Sequence, residues 1–529
     1  MAKILVSDKL SDAGLKILKD AGTLQIDVKT GLKPDELKAI IGEYDGLIIR
    51  SSTKVTADLL SAANQLKLIG RAGIGVDNVD TVAASKKGII VENTPGGNVV
   101  TTAEHAIAMM FSAARKIPQA TGSMKGGKWE KTKFVGSEIY NKVLGVVGVG
   151  NIGKIVADRA VGLKMKVIAY DPFLSAETAA KMGVELVELD DLFARADFIT
   201  IHTPLNDKTR NLIDRPAFGK MKKGVYIINC ARGGIVNEDA LVAAIEEGIV
   251  AGAALDVFVE EPIKPDHPLL KLDQVVCTPH LGASTDEAQE NVAVEVAEQM
   301  VDYFVKGIVR NAVNFPSISA ELAGVLQPYL SLAEKLGRLQ GQLTDSSPQE
   351  IHIEYSGELA EYPVAPLTVS VLKGLLEPIL EDVSVNYVNA PFIAKERGIK
   401  VVESKVSNSK DFRSLIEVTL KTPKEKRVVS GTIFGTKNPR IVKIDDFYLE
   451  AVPEGTILVV LNQDKPGVVG NVGTLLGKNK VNISRMQLGL MKGKDEAIAL
   501  YNVDQPMSAE LLSELAKVPN IISVKQVTL

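Results

Sequence analysis

The sequence predicts an α/β protein whose parallel sheets are followed by mixed α+β parts. Three observations carry that expectation. Strand and helix signals alternate from residue 3 to residue 278. A Gly-rich turn at 148–153 lies between an apolar strand and a helix. The segment from about 453 reads as strand, helix, two strands, helix, strand. Repeated βαβ units imply a parallel sheet covered on both faces, because each crossover helix must lie on the sheet it connects.

Residues 3–7 form a short apolar strand and 11–21 a helix. A strand at 46–50 (GLIIR) and a helix at 56–63 follow, then strands at 66–70 and 88–92 (GIIVE). Residues 101–115 read as a long amphipathic helix, with Thr101 and Glu104 in capping-box spacing. A second alternating region has strands at 143–147, 166–170, 197–203, 225–229, 251–256 and 275–278, which fits a doubly wound nucleotide-binding domain. Residues 284–304 are helical, opened by Ser284 and Glu287, and lead the chain back to its first part. Asn314, Phe315 and Pro316 mark a boundary. Beyond it, 317–452 reads as mixed α+β with no motif that carries chemistry. Strands at 457–461, 481–488, 497–503 and 521–527, with helices at 467–478 and 508–517, make a ferredoxin-like unit of about 75 residues.

The chain has 529 residues, enough for about three or four domains. Apolar residues make up 46% and charged residues 24%, as in globular domains. The net charge of −4 gives no basic excess, which argues against a nucleic-acid partner. A local anion site remains compatible with it. Two cysteines, Cys230 and Cys277, cannot form a disulfide framework, so a reducing cytoplasm is expected. The start reads as a strand and a helix rather than a cleavable leader, and no uncharged apolar run is long enough to span a bilayer. No membrane association and no metal site are expected.

Gly148-Val149-Gly150-Asn151-Ile152-Gly153 is a GxGxxG turn that follows the strand 143–147 and opens a helix. Glycines there permit a tight turn and close approach of backbone to a pyrophosphate, whose charge suits the free N–H groups of the helix start. Asp171 lies eighteen residues beyond Gly153, after the next strand. Its carboxylate can accept from ribose hydroxyls, and no Arg follows to hold a 2′-phosphate, so NAD is favoured over NADP.

Ligands of open α/β sheets bind beyond the carboxyl ends of the strands. Those ends carry His202-Thr203-Pro204, Cys230-Ala231-Arg232, Asp256 with Glu260-Glu261-Pro262, and Thr278-Pro279-His280. Oxidising a secondary alcohol needs a base for the hydroxyl proton, a carboxylate to orient that base, and a cation for a substrate carboxylate. His280, Glu261 and Arg232 fill those roles. Of the five histidines, His202 is the main rival to His280. His105 sits inside a helix, His267 in a Pro-flanked loop, and His352 in a part without a motif. Glu260 is the rival to Glu261.

The stretches GVVGVGNIG (145–153), HTPL (202–205), NCARGGIVNEDAL (229–241), AALDVFVEEP (253–262) and TPHLGAST (278–285) resemble the D-isomer-specific 2-hydroxyacid dehydrogenase family. The resemblance implies that His280 is the acid/base, that Glu261 pairs with it, and that Arg232 binds substrate. It implies cofactor contacts from Gly148, Gly150, Asn151, Ile152, Gly153, Asp171, His202, Thr203, Pro204, Cys230, Ala231, Arg232, Asp256, His280, Gly282 and Ala283. The likeness extends along the whole chain to the long-form branch that acts on D-3-phosphoglycerate at the entry to serine synthesis. That branch implies a flavodoxin-like, discontinuous substrate domain (1–98 and 287–315) and a Rossmann NAD domain (99–286). An intervening regulatory domain (316–452) and an ACT domain (453–529) follow. GRAGIGVDNVD (70–80) looks like the substrate loop, with the backbone of Gly73, Ile74 and Gly75 on the carboxylate. Ile74 stands where some relatives carry Thr, so no side-chain hydrogen bond is assigned to it. Arg50, Ser51, Arg71 and Asn98, with Arg232 and His280, complete the substrate contacts. The resemblance further implies a homotetramer in which Lys131 or Lys133 reaches the phosphate of a neighbouring subunit. Asn462, Asp464 and Asn482 are the implied contacts for L-serine as an effector.

Two other functions stay open at this level. One is the same chemistry on another D-2-hydroxy acid. The other is a dinucleotide-sensing interaction protein that retains the fold.

Overall fold

Five short strands open the chain: β1 (Ala2–Val6), β2 (Leu24–Val28), β3 (Gly46–Ile49), β4 (Leu68–Arg71) and β5 (Ile90–Asn93). The computed structural model, which describes residues 1–316, 320–380, 384–408, 411–491 and 495–529, joins them in one parallel sheet. Its order is β2-β1-β3-β4-β5, the flavodoxin-like arrangement. The central strand β3 is buried throughout, as a parallel strand covered on both faces must be. The sequence reading had no strand at Leu24–Val28. That strand lies at the sheet edge and buries only Leu24 fully, so it carries little apolar signal.

The second sheet is built from β6 (Val143–Val147), β7 (Lys166–Tyr170), β8 (Glu185–Leu186), β9 (Phe198–Ile201), β10 (Val225–Asn229), β11 (Val250–Leu255) and β12 (Val275–Cys277). All are parallel, in the order β8-β7-β6-β9-β10-β11-β12. The chain reverses direction across the sheet at β6 and β9, so a crevice opens beyond their carboxyl ends. The helix Val99–Arg115 packs on β10 and β11. It begins two residues before the expected Thr101, with Asn98 at its cap, and Glu104 pairs instead with Arg159 at 2.8 Å. The helix Asp286–Val301 is likewise capped by Thr285, whose hydroxyl accepts the Ala288 N–H at 3.2 Å, rather than by Ser284.

With the last turns of that helix the chain returns to the first sheet. Val296 and Met300 press against Gly70, where an added Cβ would lie 2.7 Å from Val296. The Val313 N–H donates to Val91 O at 2.8 Å, and Asn314 accepts from the Val91 N–H at 2.9 Å. The start of the next part, at 317, lies outside the described residues. There follow β13 (Glu350–Gly357), β14 (Lys400–Val406), β15 (Ser414–Lys421), β16 (Lys426–Phe434), β17 (Asn438–Ile444) and β18 (Phe447–Ala451), in the order β14-β13-β15-β16-β17-β18. Only the β13–β14 pair is parallel. The last sheet holds β19 (Thr456–Gln463), β20 (Ile483–Leu490), β21 (Glu496–Val503) and β22 (Ile521–Thr528). It is antiparallel, in the ferredoxin-like order β20-β21-β19-β22.

Contacts divide the chain into two compact units. Met1–Lys9, Lys16–Asn93 and Val296–Leu529 form one, and Leu10–Leu15 with Thr94–Glu295 the other. Among the described residues no helix is long and apolar enough to cross a membrane, and no group of His, Cys, Asp and Glu could hold a metal ion.

Candidate active site

The Gly-rich turn leaves β6 in a conformation that only glycine tolerates. Gly148 has φ of 90°, and a Cβ there would lie 2.7 Å from Thr203 and 2.8 Å from the His202 carbonyl. A Cβ on Gly153 would lie 2.0 Å from the Gly148 carbonyl oxygen. Gly150 caps the helix Asn151–Gly162 and has open space where its side chain would be. Asp171, after β7, ties down the turn: its carboxylate accepts the Val149 N–H at 2.8 Å and the Phe173 N–H at 2.9 Å. A carboxylate has about four acceptor positions, so capacity remains for hydroxyls. The Thr203 hydroxyl is buried with no protein partner among the described residues. An open glycine cradle at a helix start and an orphaned hydroxyl beside it fit a dinucleotide.

His202 ends this edge of the sheet and bonds Thr200 at 2.9 Å. Burial pushes its pKa down to about 4, so it stays neutral.

The other candidate histidine is differently placed. His280 Nδ1 meets Glu261 Oε2 at 2.7 Å, and Glu261 Oε1 accepts the Phe258 N–H at 3.0 Å. Glu260 points elsewhere, to Lys264 at 2.9 Å. The hydrogen bond with Glu261 holds the His280 pKa above its ordinary value, against burial and the positive charge of Arg232. Burial would raise the Glu261 pKa, but bonds from His280 and the Phe258 N–H outweigh it and keep the carboxyl below its usual range. Each partner thus favours the charged form of the other, so the imidazole is made a stronger proton acceptor by the carboxylate beside it. Arg232 acts electrostatically on both. Its loop is shaped by Asn229, which accepts the Ala231 N–H at 3.0 Å and donates to Arg232 O at 2.9 Å.

Beneath His280 lies Asp256, fully buried. Its carboxylate accepts from Thr278 at 2.6 Å and from the N–H groups of Leu281 and Gly282 at 2.7 and 2.8 Å, and His105 stands 3.2 Å away. Its carbonyl accepts the His280 N–H at 2.9 Å. Burial opposes the charge, but these donors hold the Asp256 pKa below its usual value. The carboxylate therefore serves the turn that carries His280, which has φ of 56°. His105 was read only as a helical residue. Its neighbours one turn away, Thr102 and Met109, are buried, and a histidine on such a face is the signal that pointed inward.

In the other unit, Arg50 and Ser51 follow β3, and Arg71 ends β4. Asp8 accepts the N–H groups of Arg50 and Thr53 at 2.6 and 3.1 Å, while Asn78 donates to their carbonyls at 2.7 and 2.6 Å. The loop bearing Arg50 and Ser51 is thus fixed by two side chains that the sequence did not single out. The guanidinium of Arg71 occupies the space beside Gly73, whose φ is 139°. Asn93 donates to Ile74 O at 2.6 Å, shaping the run to Gly75. Asn98 belongs instead to the unit of the Gly-rich turn; at the start of the helix Val99–Arg115 it keeps a buried Oδ1 without a partner among the described residues.

In the last sheet Asn462 is buried within β19 and donates to Gln463 O at 2.7 Å. Asp464 is exposed, and its N–H donates to Asp495 O at 2.9 Å. The Asn482 N–H donates to Asp504 at 3.0 Å.

Residues 107–282 match the NAD-binding domain of the D-isomer specific 2-hydroxyacid dehydrogenases, 325–445 the intervening domain of D-3-phosphoglycerate dehydrogenase, and 456–520 the ACT domain. D-3-phosphoglycerate dehydrogenase of Archaeoglobus fulgidus is 46% identical over 530 residues, covering 100% of both chains. The enzyme of that name from Synechocystis is 46% identical over 522 residues, 98% of this chain and 94% of its own. Among solved structures, D-lactate dehydrogenase from Aquifex aeolicus complexed with NAD and lactic acid matches with a TM-score of 0.52 and 29% identity. It covers 60% of this chain and 100% of its own.

Proposed function

The chain belongs to the D-3-phosphoglycerate dehydrogenase family, and from that premise we propose which of its side chains carry each part of the reaction. The reaction is NAD-dependent oxidation of D-3-phosphoglycerate to 3-phosphohydroxypyruvate, the first step of serine synthesis from glycolysis. The turn 148–153 and Asp171 would hold the dinucleotide, with the segments that follow β9, β10, β11 and β12 around its nicotinamide end. Bound NAD⁺ supplies the acceptor for the hydride that leaves C2. His280 takes the hydroxyl proton at Nε2, since Nδ1 is committed to Glu261. Glu261 orients the ring and stabilises the imidazolium as it forms. Arg232 binds the substrate carboxylate and favours charge on the forming carbonyl oxygen. The backbone of Gly73, Ile74 and Gly75 shares the carboxylate. Arg50, Ser51, Arg71 and Asn98 hold the rest of the substrate, and Lys131 or Lys133 of a neighbouring subunit reaches the phosphate.

The observation that carries this reading is the 2.7 Å contact of His280 with Glu261. It makes one ring nitrogen a fixed anchor and the other the proton acceptor. The test is NADH formation with D-3-phosphoglycerate beside D-glycerate, D-lactate and 2-hydroxyglutarate, with a trap for the keto product. Preference for D-3-phosphoglycerate supports the phosphate contacts, and preference for an unphosphorylated acid overturns them.

The ACT domain supports feedback by L-serine; Asn462, Asp464 and Asn482 would be its contacts, in a homotetramer. Serine titrated to millimolar levels without change in rate or heat would refute that regulation. Free Cys230 and Cys277 suit a reducing cytoplasm.

A further inference from the structure

The Glu261 loop is anchored from outside the catalytic set. Val259, two residues before Glu261, donates its N–H to Glu238 Oε1 at 2.7 Å. Glu238 Oε2 in turn lies 3.2 Å from His267 Nε2, with 17% and 22% of the two side chains exposed. His267 Nδ1 accepts the Leu269 N–H at 3.3 Å, which leaves Nε2 to carry the ring proton and donate to Glu238. Both carboxylate oxygens are therefore engaged, one on each flank of the segment 259–267.

Glu238 also links this segment to the one bearing Arg232. It is the first residue of the helix Glu238–Glu246, whose cap Asn237 accepts the Ala240 N–H at 2.9 Å. A few residues upstream, Gly233 lies against the 258–259 backbone so closely that a Cβ would sit 1.9 Å from Phe258 O and 2.6 Å from Val259 N. Phe258 itself donates to Glu261 at 3.0 Å. The loops of Arg232 and Glu261 thus abut at one backbone contact and are clamped beside it by one carboxylate.

We propose that Glu238, held by His267, is a positioning residue that fixes the Glu261 carboxylate against His280. This rests on the assignment of Glu261 and His280 above. Glu238 is distant in sequence from the reacting groups it serves and acts only through the Val259 N–H. A shift of about 1 Å at a catalytic group can cost about 100-fold in rate, so a mobile 258–261 loop has a measurable price in turnover.

The experiment compares Glu238→Ala, Glu238→Gln and His267→Ala with the parent enzyme, each alone and in the Glu261→Gln background. The readouts are kcat, the pH profile of kcat/KM, NADH binding and thermal unfolding. Glu238→Ala should lower kcat roughly 10- to 100-fold and move the acid limb to lower pH, with NADH binding unchanged. Glu238→Gln keeps an oxygen for the Val259 N–H and should restore most of the rate. His267→Ala should shift both readouts in the same direction by less, which keeps the test decisive if Glu238→Ala folds poorly. In the Glu261→Gln background, Glu238→Ala should add little, because it acts through the group already removed. Full additivity there, or a lowered melting temperature with an unmoved pH limb, would overturn the positioning role. A Glu261→Gln enzyme with the parental pH profile would instead overturn the assignment on which the role rests.

Discussion

Replacing Glu261 by Gln tests the chemical core of the site with the least disturbance of shape. The amide keeps an oxygen for the Phe258 N–H and loses the charge that faces His280. In the parent, the Glu261 bond is the largest influence raising the His280 pKa, ahead of burial, which lowers it; the Asp256 charge also raises it and the Arg232 charge lowers it. With the carboxylate gone, burial and Arg232 are left opposed only by Asp256, and the pKa falls. Oxidation needs neutral imidazole, so activity rises as pH climbs through the His280 pKa. The acid limb of kcat/KM should therefore move to lower pH in the variant. A hydrogen bond to a charged group is worth about 1.5–3 kcal/mol. The His280 and Glu261 side chains are 48% and 37% exposed, so solvent screening places the effect at the lower end. A loss of about 1.5 kcal/mol corresponds to roughly tenfold in kcat. The assay is initial-rate NADH formation across pH, with NADH binding measured separately by fluorescence. An acid limb that stays in place, or moves to higher pH, would refute the reasoning.

His280→Ala should abolish turnover while leaving NADH binding nearly intact, whereas His202→Gln should leave the acid limb unmoved, because His202 is already neutral above about pH 4. Initial rates of the two variants side by side would expose a mistaken choice of base. Gly153→Ala forces a Cβ to 2.0 Å from the Gly148 carbonyl; overpacking of this kind costs about 1–3 kcal/mol, so NADH affinity should weaken roughly 10- to 100-fold in a titration. Glu92 is fully buried, and burial lifts its pKa from 4.5 to about 8, against the Arg310 N–H bond. The folded state then holds the proton more tightly than the unfolded chain, so this stability is complete below pH 4.5 and lost as pH rises through 8. Glu92→Gln should remove that loss, seen as a melting temperature that falls less between pH 6 and pH 9; an unchanged slope would show that the group does not titrate there.

The sequence resolved those elements whose burial is written in consecutive residues. The strands at 143–147, 166–170 and 225–229 fall where the structure has them, since each is an apolar run bounded by polar or Gly residues. Two edge strands with little apolar content escaped. Leu24–Val28 and Glu185–Leu186 have a single neighbour each and bury too little to show a pattern. The six-stranded sheet of 350–451 was read only as mixed α+β, because its pairings join segments far apart, as when Ile351 faces both Val401 and Leu420.

The candidate site divides in the same way. The Gly-rich turn was legible because its chemistry lies within six consecutive residues between a strand and a helix. Sequence also marked Arg232, Glu261 and His280, since each follows a strand of one parallel sheet and all strand ends of such a sheet share an edge. The residues alone left Glu260 as a rival to Glu261, and the folded chain shows which of the two meets a histidine. The two are adjacent in a loop without periodicity, and the Phe258 N–H and the His280 ring select one of them. The same holds for His202 and His280, where burial lowers the proton affinity of one ring and a carboxylate raises that of the other. It holds equally for His105, Asp8, Asn78 and Glu238, whose partners lie far along the chain. Local order follows from local pattern, but the proton affinity and direction of a side chain follow from neighbours that only the tertiary fold assembles.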